Sequence, residues 1–167
     1  MKIIMAQEKL DIEGLSIFLA GPTPRENYVT GWREMAIEGF VQEGFKGTLL
    51  IPELRRKGFD EDKILFEYDR SSNYFDYSGQ IEWELEAMEK ADIILFHINR
   101  RIQGMPGFTT NIEFGYWIAK DKSKIVLSIP DKSEKMEYIK YLANKEGVKI
   151  HKHFMEAVKH IKDTYDL

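Results

Sequence analysis

The sequence contains no cysteine, which excludes disulfide frameworks, thiolate nucleophiles and cysteine-based zinc sites. The excess of one sign of charge is also small. The net charge is −4, which gives no reason to expect a nucleic acid polymer as partner. The apolar runs are only as long as strands, and residues Met1–Gly14 lack the apolar core of a signal peptide. We therefore expect a cytoplasmic protein without a membrane partner.

The remaining composition is that of an ordinary globular protein. The chain has 167 residues, of which 43% are hydrophobic and 31% are charged. A chain of this length and composition buries a sizeable core without metals or disulfides. We expect one domain that spans residues 1–167.

Short apolar runs alternate with segments of helical spacing along the chain. This alternation predicts an α/β fold with a five-stranded parallel sheet and right-handed crossovers. The predicted strands are Leu15–Ala20, Thr48–Ile51, Asp92–His97, Lys124–Ile129 and Val148–Ile150. The predicted helices are Tyr28–Gly44, Ser78–Lys90, Thr110–Lys120, Ser133–Lys145 and His153–Asp163.

In a parallel sheet of this kind, ligands bind beyond the carboxyl ends of the strands. The loops that follow the predicted strands are Gly21–Arg25, Pro52–Glu53, Asn99–Phe108 and Pro130–Lys132. Residues Glu53–Tyr77 show no periodicity and predict a long connection with a functional role. The aromatic side chains between Phe66 and Tyr77 suit either stacking on a flat ring or anchoring of that connection.

Glu113 is the most informative carboxylate of the sequence. It follows Thr110 by three residues, which fits a capping box at a helix start, and it also follows a loop on the ligand side of the sheet. A carboxylate near a positive helix end is expected to stay ionised and available as a nucleophile. A structural cap and a catalytic nucleophile are both open interpretations.

Two further segments have a structural and a functional interpretation each. Gln80 and Glu84 lie four residues apart and share a helix face, which is either a solvated face or one wall of a pocket. Gly21 and Pro22 form either an ordinary tight turn or a loop that approaches a ligand closely. The spacing of glycines matches neither a dinucleotide fingerprint nor a phosphate-binding P-loop.

The four histidines give little evidence of a metal site. His97 ends a buried strand, where a hydrogen-bonded core or pocket histidine is the expected role. His151, His153 and His160 cluster near the C-terminus without a carboxylate–histidine spacing that favours metal binding.

Several pieces in a fixed order resemble the nucleoside 2-deoxyribosyltransferase family, particularly its transferase-like branch. The likeness runs from about Leu15 to Pro130. The pieces are Ile17-Phe-Leu-Ala-Gly-Pro22, Trp32-Arg33, Pro52-Glu53, Gln80 with Trp83-Glu84, Ala91-Asp-Ile-Ile-Leu-Phe96 and Phe108-Thr-Thr-Asn-Ile-Glu-Phe-Gly115.

The resemblance implies a flavodoxin-like three-layer sandwich and an enzyme that cleaves or exchanges the N-glycosidic bond of 2′-deoxynucleosides or their monophosphates. It implies Glu113 as the nucleophile, through a covalent glutamyl–deoxyribosyl ester, and Glu84 as the group that contacts the nucleobase or acts as acid. Gly21 and Pro22 match the family's glycine-containing loop at the sugar and are predicted to bind substrate. Asn111 and Arg100 are further candidates for substrate binding, since positive charge near the pocket mouth suits a phosphorylated sugar. The implied partners are a nucleoside or nucleotide, a free nucleobase and further copies of the chain in a homo-oligomer. No cofactor and no metal are required.

Two alternatives stay open at this stage. Phe18 stands in the first predicted strand, where studied family members carry a tyrosine that orients the nucleophile, and no acidic residue occurs at 108–111. These differences also accommodate a deoxynucleotide N-hydrolase. A non-catalytic nucleotide-binding or sensing domain is the alternative from another class.

Overall fold

A computed structural model describes residues 1–25, 31–54 and 77–165 of the chain. Its six strands are β1 (Lys2–Ala6), β2 (Ser16–Ala20), β3 (Thr48–Leu54), β4 (Ile93–His97), β5 (Ile125–Ser128) and β6 (Ile150–His151). Its α-helices are α1 (Arg33–Gln42), α2 (Tyr77–Lys90), α3 (Phe108–Lys120), α4 (Glu137–Glu146) and α5 (Phe154–Tyr165). The predicted aromatic segment before Tyr77, like most of the predicted connection Glu53–Tyr77, lies outside the described residues.

All strand pairs in the sheet are parallel, and the strand order is β1-β3-β2-β4-β5-β6. The predicted parallel α/β fold is confirmed, but the prediction of five strands is wrong because β1 adds a sixth at one edge. Charged residues flank this short run, and its first residues are only half-buried, so its apolar signal is weak. Without β1, the order of the remaining strands is that of a flavodoxin-like sheet.

Two hydrophobic clusters cover the two faces of the sheet and make the fold three-layered. Helices α2, α3 and α4 pack on one face, with Trp83, Phe114 and Trp117 in that cluster. Helices α1 and α5 pack on the other, with Phe40 and Phe154. Alternate residues of each central strand face opposite clusters, so every residue of β2 and β4 is buried.

Strand β3 continues through Pro52, although the sequence predicts that proline stops it. The register against β1 shifts between Met5, which pairs with Ile51, and Ala6, which pairs with Leu54. Pairing of β3 with β2 ends at Leu50. Pro52 therefore lies in a bulge, where its missing N–H costs no ladder hydrogen bond. Glu53 is carried past the bulge to the carboxyl edge of the sheet.

Helical spacing in the sequence predicts Met35 and Val41 on the core face of α1, and Ile81 and Leu85 on the core face of α2, and at these four positions the prediction is wrong. Met35 and Val41 of α1, and Ile81 and Leu85 of α2, are 40–55% exposed rather than buried. Trp83, Ala87 and Met88 form the buried face of α2 instead. Because this face of α2 packs on the core, Gln80 and Glu84 lie at the boundary between the core and the solvent. No helix among the described residues is long and apolar enough to cross a membrane.

Gly47, just before β3, and Gly115, within α3, give a matched pair of substitutions. A Cβ on Gly47 would lie 2.0 Å from the Leu15 carbonyl oxygen, whereas a Cβ on Gly115 would meet no atom within 4 Å. We expect Gly47→Ala to lower the free energy of unfolding by more than about 2 kcal/mol through overpacking against backbone. Gly115→Ala should raise it by roughly 0.5–1 kcal/mol. Chemical denaturation of both variants measures the two shifts, and equal effects would contradict this packing.

Candidate active site at the strand switch point

The candidate site lies where the chain reverses direction across the sheet. Strand β2 leads to α1 on one face, and its neighbour β4 leads to α3 on the other, so their carboxyl ends flank a crevice. A cavity of about 460 Å³ opens there. Its lining residues are Gly21, Thr23, Pro24, Arg25, Gly107, Phe108 and Thr109.

Gly21 and Pro22 hold the two loops of the crevice together. A Cβ on Gly21 would lie 2.3 Å from the His97 carbonyl oxygen and 2.9 Å from Trp32, so only glycine fits. Pro22 is buried, accepts a 3.0 Å hydrogen bond from Trp32 Nε1 and packs against Gly107. Of these two predicted substrate-binding residues, Gly21 lines the cavity and Pro22 supports its wall.

Arg33 is the central polar residue of the site, and the sequence analysis noted it only within the ordered resemblance. Its buried guanidinium donates to the carbonyl oxygens of Leu19 and Gly21 at 3.2 and 3.0 Å, and to Thr23 Oγ1 at 3.0 Å. It also forms a 2.7 Å ion pair with Glu53 Oε1. Arg33 thus joins the exit of β2 to the exit of β3. A basic residue directly after Trp32, at the start of a helix whose inner face is apolar, was the available signal.

Glu84 lies at this edge in the second turn of α2, and Gln80 in its first turn holds it. Gln80 Nε2 donates to Glu84 Oε1 at 2.6 Å and to the Pro52 carbonyl oxygen at 3.3 Å. Burial raises the pKa of Glu84, against the opposing effects of the Gln80 hydrogen bond and the Arg33 charge. The predicted shared face is confirmed, and it is partly buried rather than solvated, although neither residue lines the cavity.

Glu113 lies on α3, one helical turn beyond the cavity residue Thr109. The side chain is half-buried, and none of the described residues donates a hydrogen bond to its carboxyl group. Desolvation, followed by the charge of Glu84, raises the pKa of Glu113 to about 7, and Arg33 opposes this rise. The prediction that a helix end keeps this carboxylate ionised is therefore wrong.

The capping-box interpretation of Glu113 is also wrong. Helix α3 begins at Phe108, its N-cap is Gly107 with φ +59°, and no side chain caps it. Thr110 is inside the helix, so Glu113 lies beyond the first turn, where neither capping geometry nor the helix dipole supports it. A capping role therefore does not explain why this carboxyl group lies partly buried on α3.

Arg100 and Asn111, two predicted substrate-binding residues, bind each other. Arg100 is buried, and its Nη2 donates to Asn111 Oδ1, while Nη1 donates to the Lys135 carbonyl oxygen at 3.2 Å. Neither residue lines the cavity. These contacts fasten the loop after β4 to the start of α3 and to the loop before α4.

Two other residues that the sequence analysis names, His97 and Phe18, lie in the hydrophobic core. His97 is buried between Trp32 and Phe154 and lies 3.0 Å from Ser128 Oγ through Nδ1, and burial lowers its pKa to about 4. This is the hydrogen-bonded core histidine that the sequence predicts. The Phe18 ring lies in the core, 6.4 Å from Trp83. Within the described ranges, no group of three or more histidine or acidic residues is arranged to hold a metal ion.

The fold and the site together define a doubly wound α/β protein with a crevice at its strand switch point, and with two carboxyl groups and a buried arginine near that crevice. Residues 14–132, well over half of the chain, match the family described as nucleoside 2-deoxyribosyltransferase like. The chain therefore belongs to this family. The comparison with curated proteins gives no match.

The Arg33–Glu53 pair is the first test of this site. Arg33→Met leaves Glu53, whose side chain is 12% exposed, without its cation, and it strips several acceptors of their donor. We expect a loss of about 3–5 kcal/mol in the free energy of unfolding. The double variant Arg33→Met/Glu53→Met should lose less than the sum of the single variants. Additive losses in denaturant melts would show that the pair is not coupled.

The raised pKa of Glu113 predicts how stability changes with pH. The folded state holds the proton more tightly, so its stability falls as pH rises from the ordinary value of 4.5 to about 7. Glu113→Gln should raise the free energy of unfolding above pH 7 by on the order of 3 kcal/mol, with no gain near pH 4.5. Thermal melts across this range test the trend, with the exposed Glu82→Gln as control. A loss of stability at pH 8 would contradict the assignment.

Proposed function

We propose that this protein cleaves or exchanges the N-glycosidic bond of 2′-deoxynucleosides or their monophosphates. The observation that carries the proposal is the pair of carboxyl groups, Glu113 and Glu84, at one switch-point crevice. They lie on neighbouring helices of the same layer, and each feels the charge of Arg33. Membership of the nucleoside 2-deoxyribosyltransferase-like family supports the same substrate class.

In the first step, a Glu113 carboxylate oxygen attacks the anomeric carbon of the sugar. The carbon–nitrogen bond to the base breaks, its electron pair stays on the base, and Glu84 supplies a proton to the base. The product is an ester between Glu113 and the deoxyribosyl group. A second base or a water molecule then attacks the same carbon, Glu84 takes up the proton that the attacking group loses, and the carbon–oxygen bond to Glu113 breaks to release its carboxylate; the two displacements retain the configuration.

The electrostatics of the site support a division of labour between the two carboxyl groups. Burial raises the pKa of both, and the proximity of two negative charges disfavours their simultaneous ionisation. A pair that retains one proton near neutral pH provides one nucleophile and one acid. Arg33 favours the ionised partner and so keeps a carboxylate available.

The cavity beside Thr109 is the proposed place for the sugar and its 5′ substituent. Thr23 and Thr109 contribute hydroxyl groups to its wall, and Arg25 contributes the charged side chain, with its guanidinium 5.4 Å above the Phe108 ring. We assign the contact with a substrate phosphate to Arg25 rather than to Arg100, because Arg100 is engaged with Asn111 and Lys135.

Product analysis of deoxynucleosides and their 5′-monophosphates, with and without a second free base, tests the proposal. We expect exchanged nucleosides from a transferase and free base alone from a hydrolase. Glu113→Gln should lower turnover by at least about a thousandfold, because it removes the nucleophile. The Glu82→Gln variant on the exposed face of α2 should keep full activity. Absence of turnover, with nucleotide binding intact by calorimetry, would establish a binding domain instead.

The dependence of turnover on pH provides an independent check on the role of Glu113 as nucleophile. Below about pH 7, turnover should rise roughly tenfold per pH unit as Glu113 ionises. A rate that stays constant from pH 5 to pH 8 would contradict a nucleophile with a raised pKa.

A further inference from the structure

Gln80 carries a buried acceptor that the protein itself leaves unused. The side chain is 6% exposed, and its Oε1 has no hydrogen-bond partner among the described residues. The amide orientation is fixed, because Nε2 donates to two acceptors, Glu84 Oε1 and the Pro52 carbonyl oxygen. Oε1 cannot be exchanged with Nε2 without the loss of both bonds. A buried acceptor without a donor is costly, so its retention needs an explanation.

The position of this acceptor points to a ligand. Gln80 lies in the first turn of α2, at the carboxyl edge of the sheet, one turn before Glu84. Glu84 is half-buried, and it uses Oε1 for the bond from Gln80, which leaves Oε2 without a hydrogen bond in the described part of the chain. The hydrogen bond between Gln80 and Glu84 therefore joins an unused acceptor to a carboxyl group whose charge acts on Glu113, the proposed nucleophile.

Resting on the proposed function, we infer that Gln80 and Glu84 form the base subsite, and that it selects bases with an exocyclic amino group next to a ring nitrogen. The amino N–H donates to Gln80 Oε1. The ring nitrogen accepts the proton of the Glu84 carboxyl group. Adenine and cytosine carry this edge, whereas hypoxanthine and uracil carry a carbonyl oxygen in place of the amino group.

Proton transfer makes the selection stronger than hydrogen bonding alone. A keto base also presents an N–H and an acceptor, but a carbonyl oxygen is a far weaker base than a ring nitrogen beside an amino group. General acid catalysis requires an acceptor whose basicity approaches that of the acid. When the glycosidic bond breaks, the Glu84 proton stays on the ring nitrogen of an amino base, the bond's electron pair stays on the leaving nitrogen, and the base departs neutral.

Two matched pairs of substrates test the inference. Within each pair, one base carries an exocyclic amino group and the other carries an oxo group in its place. The pairs are deoxyadenosine against deoxyinosine and deoxycytidine against deoxyuridine. We expect kcat/KM to be at least tenfold higher for the amino member of each pair, because a buried polar group left unpaired penalises the analogue strongly. Gln80→Met, which keeps the length without the acceptor, should lower both ratios at least several-fold, and the preference that remains comes from proton transfer by Glu84. Glu82→Gln should leave them unchanged.

Each outcome separates this inference from the proposed function. If the substrates react without a preference for the amino member, or if Gln80→Met leaves that preference unchanged, the base subsite is overturned and the proposed function stands. If neither the four deoxynucleosides nor their 5′-monophosphates react, the proposed function fails, and calorimetry with free adenine and free hypoxanthine decides the subsite alone. Tighter binding of adenine that Gln80→Met abolishes supports the subsite, whereas equal binding or no binding overturns it.

Discussion

The buried guanidinium of Arg33 is the interaction on which the rest of the site depends. Its hydrogen bonds to Leu19, Gly21 and Thr23 fix the exit of β2, and its ion pair with Glu53 fixes the exit of β3. A buried cation needs such partners, because desolvation without them is costly. The same charge acts on the two carboxyl groups of the crevice. Loop geometry and site electrostatics therefore have a single physical origin.

The ionisation of Glu113 shows which effect dominates in this crevice. A helix start contributes a fraction of a charge that weakens beyond the first turn, and Glu113 lies beyond it. Desolvation and the neighbouring Glu84 act at short range and raise its pKa to about 7, despite Arg33. A carboxyl group that titrates near neutral pH suits chemistry in which a proton and a nucleophile are both needed.

Local patterns predicted the helices and five of the six strands, because burial and turn residues act over short distances along the chain. Gly147 ends α4 in the left-handed conformation, as its position predicts. The faces of α1 and α2 were predicted less well, since a helix with apolar residues all round does not reveal which of them pack. Thr110 and Glu113 fit a capping box in sequence, but Gly107 begins the helix earlier.

The sequence by itself determined the alternation of strands and helices, the ligand edge of the sheet and the resemblance that singled out Glu113 and Glu84. These follow from periodicity and motif order, which are properties of the linear chain. Only the tertiary structure decided that Arg33 joins the exits of β2 and β3, and that Arg100 binds Asn111. It also decided that Gln80 Oε1 has no hydrogen-bond partner among the described residues. Those outcomes depend on which polar groups meet when distant segments are buried together, and no local pattern specifies that.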